Sequence, residues 1–249
     1  IHYPEEGLST AENFLRMIRP DKSYTEEEAH LLDMMLMLHA EHGGGNNSTF
    51  VCRALSSSGT DTYSAIAGAV GSLKGPLHGG ANAKVVSMHE DIRAHVSNWE
   101  DEDEVAAYLG KILDKQAFDG TGLIYGMGHA VYSLSDPRAE VLRGFVQDIS
   151  KEKGLNREMD MYLTVEKVAK ELLTARTGKP VAVNVDFYSG FLYDMLGLPK
   201  ELYTPLFAIA RMAGWSAHRM EELGENSKII RPACKCIEKR RPYVPMSER

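Results

Sequence analysis

The sequence is short of cysteine, of long apolar runs and of basic charge, and each shortage removes a class of function. Its three cysteines, Cys52, Cys234 and Cys236, are too few and too unevenly placed for a secreted disulfide framework. Cys234-x-Cys236 has no second pair to complete a metal site. A reducing compartment is therefore expected. The most apolar stretch, 31–38, is short and is broken by Asp33, so it fits neither a membrane span nor the core of a signal peptide. Lys and Arg total 28 against 35 Asp and Glu, a formal charge of -7, which argues against general affinity for nucleic acid or anionic membrane. Any anionic ligand must meet a local cluster of Arg and His. Ile1-His2-Tyr3-Pro4-Glu5-Glu6 has neither an initiator Met nor a targeting composition, which leads us to expect a chain cut from a longer one.

What is present points to helices. The 249 residues, 43% hydrophobic, can bury a core as one large domain or two small ones. Thr25 followed by Glu28 reads as a capping box, and Leu31, Leu32, Met35 and Leu38 recur at helical spacing, predicting a helix over 26–42. The Ala- and Gly-rich stretch 62–73 suits a buried helix lying close to its neighbours. Further helical patterns run over 81–96, 102–116, 138–153, 159–175, 187–196 and 203–223. Only 180–185 reads as a short extended piece. There is no repeat or low-complexity segment, and the acidic run 100–104 reads as a solvated helix start.

Turn clusters at 42–47, 75–80, 120–128 and 178–186 hold or adjoin the reactive side chains. His42, His78 and His129 each sit among glycines, which let a ligand reach the imidazole and nearby backbone N–H groups together. Each is also readable as a satisfied polar group near a turn. A metal site on His39 and His42 is disfavoured, because no carboxylate stands at a zinc-protease spacing. His78 lies just ahead of a predicted helix, whose positive end favours a neutral ring able to donate a hydrogen bond. Asp186, between Val183-Asn184-Val185 and Phe187-Tyr188, has an apolar setting that raises its basicity; it is equally readable as a helix cap. Arg138, Arg211 and Arg231 have the least surface-like neighbours of the arginines, and suit either a bidentate grip on carboxylates or structural ion pairs.

Together, His-x-x-His-Gly-Gly-Gly-Asn, Gly-Pro-Leu-His-Gly-Gly-Ala-Asn, Gly-x-Gly-His-x-Val-Tyr followed by Asp-Pro-Arg, and Asn-Val-Asp-Phe-Tyr-Ser-Gly resemble the citrate synthase family in identity, order and separation. The resemblance runs from about Tyr24 to Arg231. It implies an all-α fold: part of a large helical domain, residues 1–79 and 198–249, with a small helical domain, residues 80–197, inserted. It further implies that the N-terminal part of the large domain is absent, leaving the C-terminal, catalysis-bearing portion. The implied reaction joins acetyl-CoA, oxaloacetate and water to give citrate and CoA, at the entry to the tricarboxylic acid cycle, in a homodimer of the bacterial cytoplasm. No cofactor and no metal are implied, acetyl-CoA being a substrate.

Residue by residue, His78 resembles the group that polarises the thioester carbonyl and Asp186 the base that takes the methyl proton. His129 resembles the group that polarises the oxaloacetate carbonyl. His42, His129, Arg138 and Arg211 match binders of oxaloacetate and nascent citrate. Arg231 matches an arginine that reaches in from the other subunit, and it follows a short polar connector, Gly224, Glu225, Asn226, Ser227 and Lys228. Gly122, Leu123, Ile124, Tyr125, Gly126, Met127 and Gly128 resemble the main-chain segment that recognises the adenine of CoA. Glu41 stands where Asp is commoner, and Ala130 and Ser133 fall at loosely held positions. Two rival readings are a 2-methylcitrate synthase using propionyl-CoA, one methylene away in acyl discrimination, and a catalytically incompetent fragment.

Overall fold

Ten α-helices and no strand make up the described residues: α1 (Thr10–Ile18), α2 (Glu26–Ala40), α3 (Asn47–Ser57), α4 (Thr62–Leu73), α5 (Ala81–His95), α6 (Glu102–Leu113), α7 (Pro137–Glu152), α8 (Asn156–Thr177), α9 (Asp186–Met195) and α10 (Tyr203–Gly224). The computed structural model describes residues 1–75, 78–129, 132, 134–224, 228–235, 237–238 and 241–248. Pro76 and Leu77 of the Gly-Pro-Leu-His motif, Ala130, Val131, Ser133, Cys236 and the connector residues Glu225, Asn226 and Ser227 lie outside them. The all-α expectation holds. No helix among the described residues is long and apolar enough to cross a membrane.

The helix starts follow local chemistry. Thr25 Oγ1 accepts the Glu28 N–H (3.1 Å) while Glu28 accepts the Thr25 N–H (3.2 Å), the reciprocal box expected for α2. Helix α2 stops two residues before the predicted end because Glu41 turns to extended backbone (φ -145°). The pattern 102–116 also overran: α6 ends at Leu113, and Lys115 adopts φ 62° in the turn that follows. Two helices were not anticipated. Helix α1 carries the same box, Ser9 with Glu12, but buries only Ala11 and Leu15. Helix α3 begins in an Asn/Ser/Thr-rich stretch that reads locally as turn. The extended piece at 180–185 forms no strand; it makes one isolated antiparallel bridge, Met127 to Val183.

Two apolar clusters organise the packing. The larger draws Leu15, Leu32 and Met35 together with residues of α5 to α9, including Val85, Leu109, Leu142, Val165 and Phe187. The smaller joins Cys52 of α3, Ala65, Ala69 and Leu73 of α4, and Phe207 and Trp215 of α10. Small residues allow close approach where α4 meets α3: a Cβ on Gly68 would run into the Leu55 side chain. The ends of α2, α5 and α9 and the middle of α10 carry the candidate site.

Candidate active site

Asp186 is held by two loops stitched together. The Gly128 N–H donates to the Ala182 carbonyl (2.7 Å) and the Asn184 N–H to the Gly126 carbonyl (2.9 Å). Asn184 Nδ2 adds a bond to the Gly128 carbonyl (3.0 Å). Gly126 sits at φ 80°, and a Cβ there would come within 2.8 Å of the Phe187 ring, so both conformation and space require glycine. Asn184 Oδ1 accepts the Asp186 N–H (3.0 Å), aiming the first residue of α9. Asp186 does not cap that helix: the N-cap is Val185, with no side-chain cap bond. The carboxylate, 18% exposed, faces His39 Nε2 at 4.0 Å. Burial pushes its pKa up to about 6, against the opposing pull of Arg138 and Arg211. A base poised there is matched to proton transfer near neutral pH.

Three imidazoles have their protonation directed by neighbours. His39 Nδ1 lies 3.2 Å from the Met35 carbonyl, which only accepts, so the ring proton is on Nδ1 and the Nε2 lone pair points toward Asp186. Burial, then the charge of Arg211, lowers the His39 pKa to about 3, so the contact with Asp186 is not an ion pair at neutral pH. His78 Nε2 faces Asn46 Oδ1 (3.1 Å) and Ser48 Oγ (3.0 Å), and Ser48 Oγ also accepts from Trp215 Nε1 (3.2 Å). Burial first, then Arg211, keeps the His78 pKa below its usual value, so the neutral ring expected from the helix end is favoured here by these two causes instead. His129 Nδ1 accepts the Tyr132 N–H (3.1 Å), which places the proton of the neutral ring on Nε2.

Around His129 gather a second imidazole and the Arg138–Asp136 pair. Its ring stands edge-on to that of His42 with centroids 4.7 Å apart, and Arg138 Nη2 lies 3.5 Å from His129 Nε2. Asp136, fully enclosed, grips Arg138 through Nη2 (2.7 Å) and Nε (3.0 Å) and accepts the Arg138 N–H (3.0 Å). Burial works to raise the Asp136 pKa, and the Arg138 bonds override it, so the pair stays ionised. Burial, with Arg138 and His129 next, lowers the His42 pKa to about 4.

Arg211 of α10 is 1% exposed. Its Nε donates to the His39 carbonyl (2.7 Å) and its guanidinium lies over the Phe207 ring (4.8 Å), while Nη1 has no hydrogen-bond partner. A buried cation with an orphaned donor is costly unless an anion completes it.

The structure thus brings His42, His78, His129, Arg138, Asp186 and Arg211 into one electrostatic neighbourhood, with the segment Gly122 to Gly128 tied to the strip before Asp186. An open groove of about 270 Å³ runs from Gly128 and His129 to Thr177, Lys179 and Val181. Arg231 is not part of this cluster: it is exposed, on the stretch beyond α10. Sequence reading weighed His39 only as a metal ligand, and it missed Phe207, whose ring meets His39 (4.6 Å) and His78 (6.0 Å) as well as Arg211. It also gave no role to Asp136 or Asn46. His39 and Asn46 lie inside the motif already singled out, whereas nothing local marks Phe207.

Residues 1–233 match the family of the citrate synthase C-terminal domain. The citrate synthase of Acidithiobacillus ferridurans is 41% identical over 99% of this chain and 60% of its own length. A solved citrate synthase from Thermotoga maritima MSB8 superposes with TM-score 0.79 at 33% identity, over 100% of this chain and 63% of that one. The Thermoplasma acidophilum citrate synthase, solved as a ternary complex with carboxymethyl coenzyme A and oxaloacetate, gives TM-score 0.79 at 29% identity over 100% of this chain and 62% of that one. The chain spans about 60% of the length of the curated relatives it matches. With the motifs, the helical fold and this match over nearly its whole length in agreement, the chain belongs to the citrate synthase family.

Proposed function

We propose that this chain carries the condensing centre of a citrate synthase, joining the methyl carbon of acetyl-CoA to the ketone carbon of oxaloacetate. One observation carries the reading: the buried Arg211 guanidinium, with Nη1 unpartnered, lies in the same field as Arg138 and a desolvated Asp186. That arrangement asks for a bound carboxylate beside a carboxylate base.

Asp186 takes a proton from the acetyl methyl group, and His78 donates a hydrogen bond to the enolate oxygen that develops. The enolate carbon attacks the ketone, whose oxygen receives the His129 Nε2 proton as a hydrogen bond. His42, Arg138 and Arg211 hold the carboxylates. Arg231 completes the site in a second copy of the chain, which accounts for its exposure here. Hydrolysis of citryl-CoA releases citrate and CoA. The main chain from Gly122 to Gly128 and the groove beside it receive the adenine end of CoA. Residues 80–197 act as a small domain that closes over oxaloacetate, with Gly79-Gly80 and Gly197 as hinges. The setting is the cytoplasm.

The test is oxaloacetate-dependent release of CoA thiol, with acetyl-CoA and propionyl-CoA run in parallel. Faster turnover of acetyl-CoA is expected. A preference for propionyl-CoA makes the protein a 2-methylcitrate synthase, and no thiol release with either refutes the reading.

A further inference from the structure

The loop that presents His42 is built of residues with little to hold them. It runs Glu41-His42-Gly43-Gly44-Gly45-Asn46, with Gly43 at φ 86°, and three successive glycines lose more backbone freedom on ordering than any other residues. Yet this loop must place the His42 ring against His129 and Asn46 against His78. Something outside the glycines has to fix it.

The Glu41 carboxylate is that group. Its Oε1 accepts the His42 N–H (2.7 Å) and, closely, the Gly43 N–H. Its Oε2 meets His218 Nε2 of α10 at 3.1 Å. Space is reserved for this arrangement: a Cβ on Gly214 would run into the Ala40 carbonyl and the Glu41 carboxylate. Gly44 is likewise close to α10, since a Cβ there would lie 3.3 Å from the His218 ring. The carboxylate thus bonds two consecutive backbone donors on one side and the helix that bears Arg211 on the other. Its negative charge is also the first of those that sustain the Arg211 cation.

We infer that Glu41, backed by His218, is a positioning residue for oxaloacetate: it acts through the His42 backbone and the Arg211 charge without touching substrate. The inference rests on the functional reading above. It predicts a division between two replacements. Glu41→Gln keeps an oxygen for the two N–H groups and loses the charge; Glu41→Ala loses both.

Two measurements on the same variants test it. Amide exchange of His42 and Gly43 reads the geometry without reference to activity: Glu41→Ala speeds it on the order of tenfold to a hundredfold, the range open to a charge-assisted hydrogen bond, while Glu41→Gln keeps most of the protection. Steady-state kinetics read the consequence. Glu41→Ala raises KM for oxaloacetate on the order of ten- to a hundredfold with kcat changed far less, and Glu41→Asp recovers part of the loss. A purely structural role would instead lower the active fraction, and with it kcat at unchanged KM. The inference is overturned if the two amides stay protected in Glu41→Ala, or if that variant keeps the normal KM while His42→Ala raises it. Should His42→Ala itself leave KM unchanged, the assignment of His42 to oxaloacetate fails, and exchange still decides whether Glu41 holds the loop.

Discussion

Replacing Asp186 by Asn should make the folded chain more stable at pH 8 and nearly unchanged in stability at pH 4. The reason is desolvation: burial lifts the carboxyl pKa from 3.8 to about 6. A raised folded pKa means that the neutral acid's contribution to stability is fully present below the unfolded value near pH 4. That contribution is lost as pH rises through about 6. A rise of about two pH units corresponds to about 3 kcal/mol, and the 18% residual exposure of the side chain makes this an upper value. The Asn side chain cannot ionise, and its Nδ2 can donate to the His39 Nε2 lone pair as the O–H of the neutral acid can, so the two forms are matched at low pH. Urea denaturation of both chains from pH 4 to pH 8, followed by circular dichroism, should show the difference in unfolding free energy widening between pH 4 and 6 and then levelling. If the difference is flat, or if Asp186 is the more stable form at pH 8, then Arg138 and Arg211 pair with the carboxylate strongly enough to cancel burial, and the account of Asp186 as a desolvated base is wrong.

Three other perturbations address the anion site and the assembly. Arg211→Met should weaken oxaloacetate binding by about 2 to 5 kcal/mol by calorimetry, while unliganded stability holds within about 1 kcal/mol because a buried, half-partnered charge is removed; a large stability loss would mean that Arg211 is a structural cation. His129→Ala and Arg138→Ala should each weaken oxaloacetate binding, the Arg change by about 2 to 5 kcal/mol, and unchanged affinity in both would put the pocket elsewhere. Inactive Asp186→Asn and Arg231→Ala chains, mixed under verified subunit exchange, should regain about a quarter of normal activity, because half the dimers are mixed and each has one intact site; no recovery would confine Arg231 to its own subunit or remove it from the site.

How far the sequence spoke depended on how local each cause is. The start of α2 was legible because a capping box is complete within four residues, Thr25 to Glu28. Helix α3 was not, because its Asn, Ser and Thr residues prefer turns in isolation and become helical only where Cys52 packs with Ala65, Ala69 and Trp215. His42, His78, His129 and Asp186 stood out through their glycine-rich or apolar surroundings. Phe207 did not, since an aromatic on an amphipathic helix is ordinarily core, and its contacts with His39, His78 and Arg211 come from three separate parts of the chain.

Asp136 lies between these cases, and it shows why a correct local reading can stop short of function. Asp-Pro-Arg announces a helix start: Asp136 caps α7, Pro137 takes the first turn, and Asp136 Oδ1 accepts the Arg138 N–H. The same carboxylate also holds the Arg138 guanidinium through Nε and Nη2. That second grip depends on the carboxylate being fully enclosed, with its burial offset by the ion pair. An exposed Asp-Pro-Arg would cap a helix equally well and leave its arginine to wander in water. Burial therefore converts an ordinary cap into the device that points Arg138 at His129, and burial is a property of the fold as a whole.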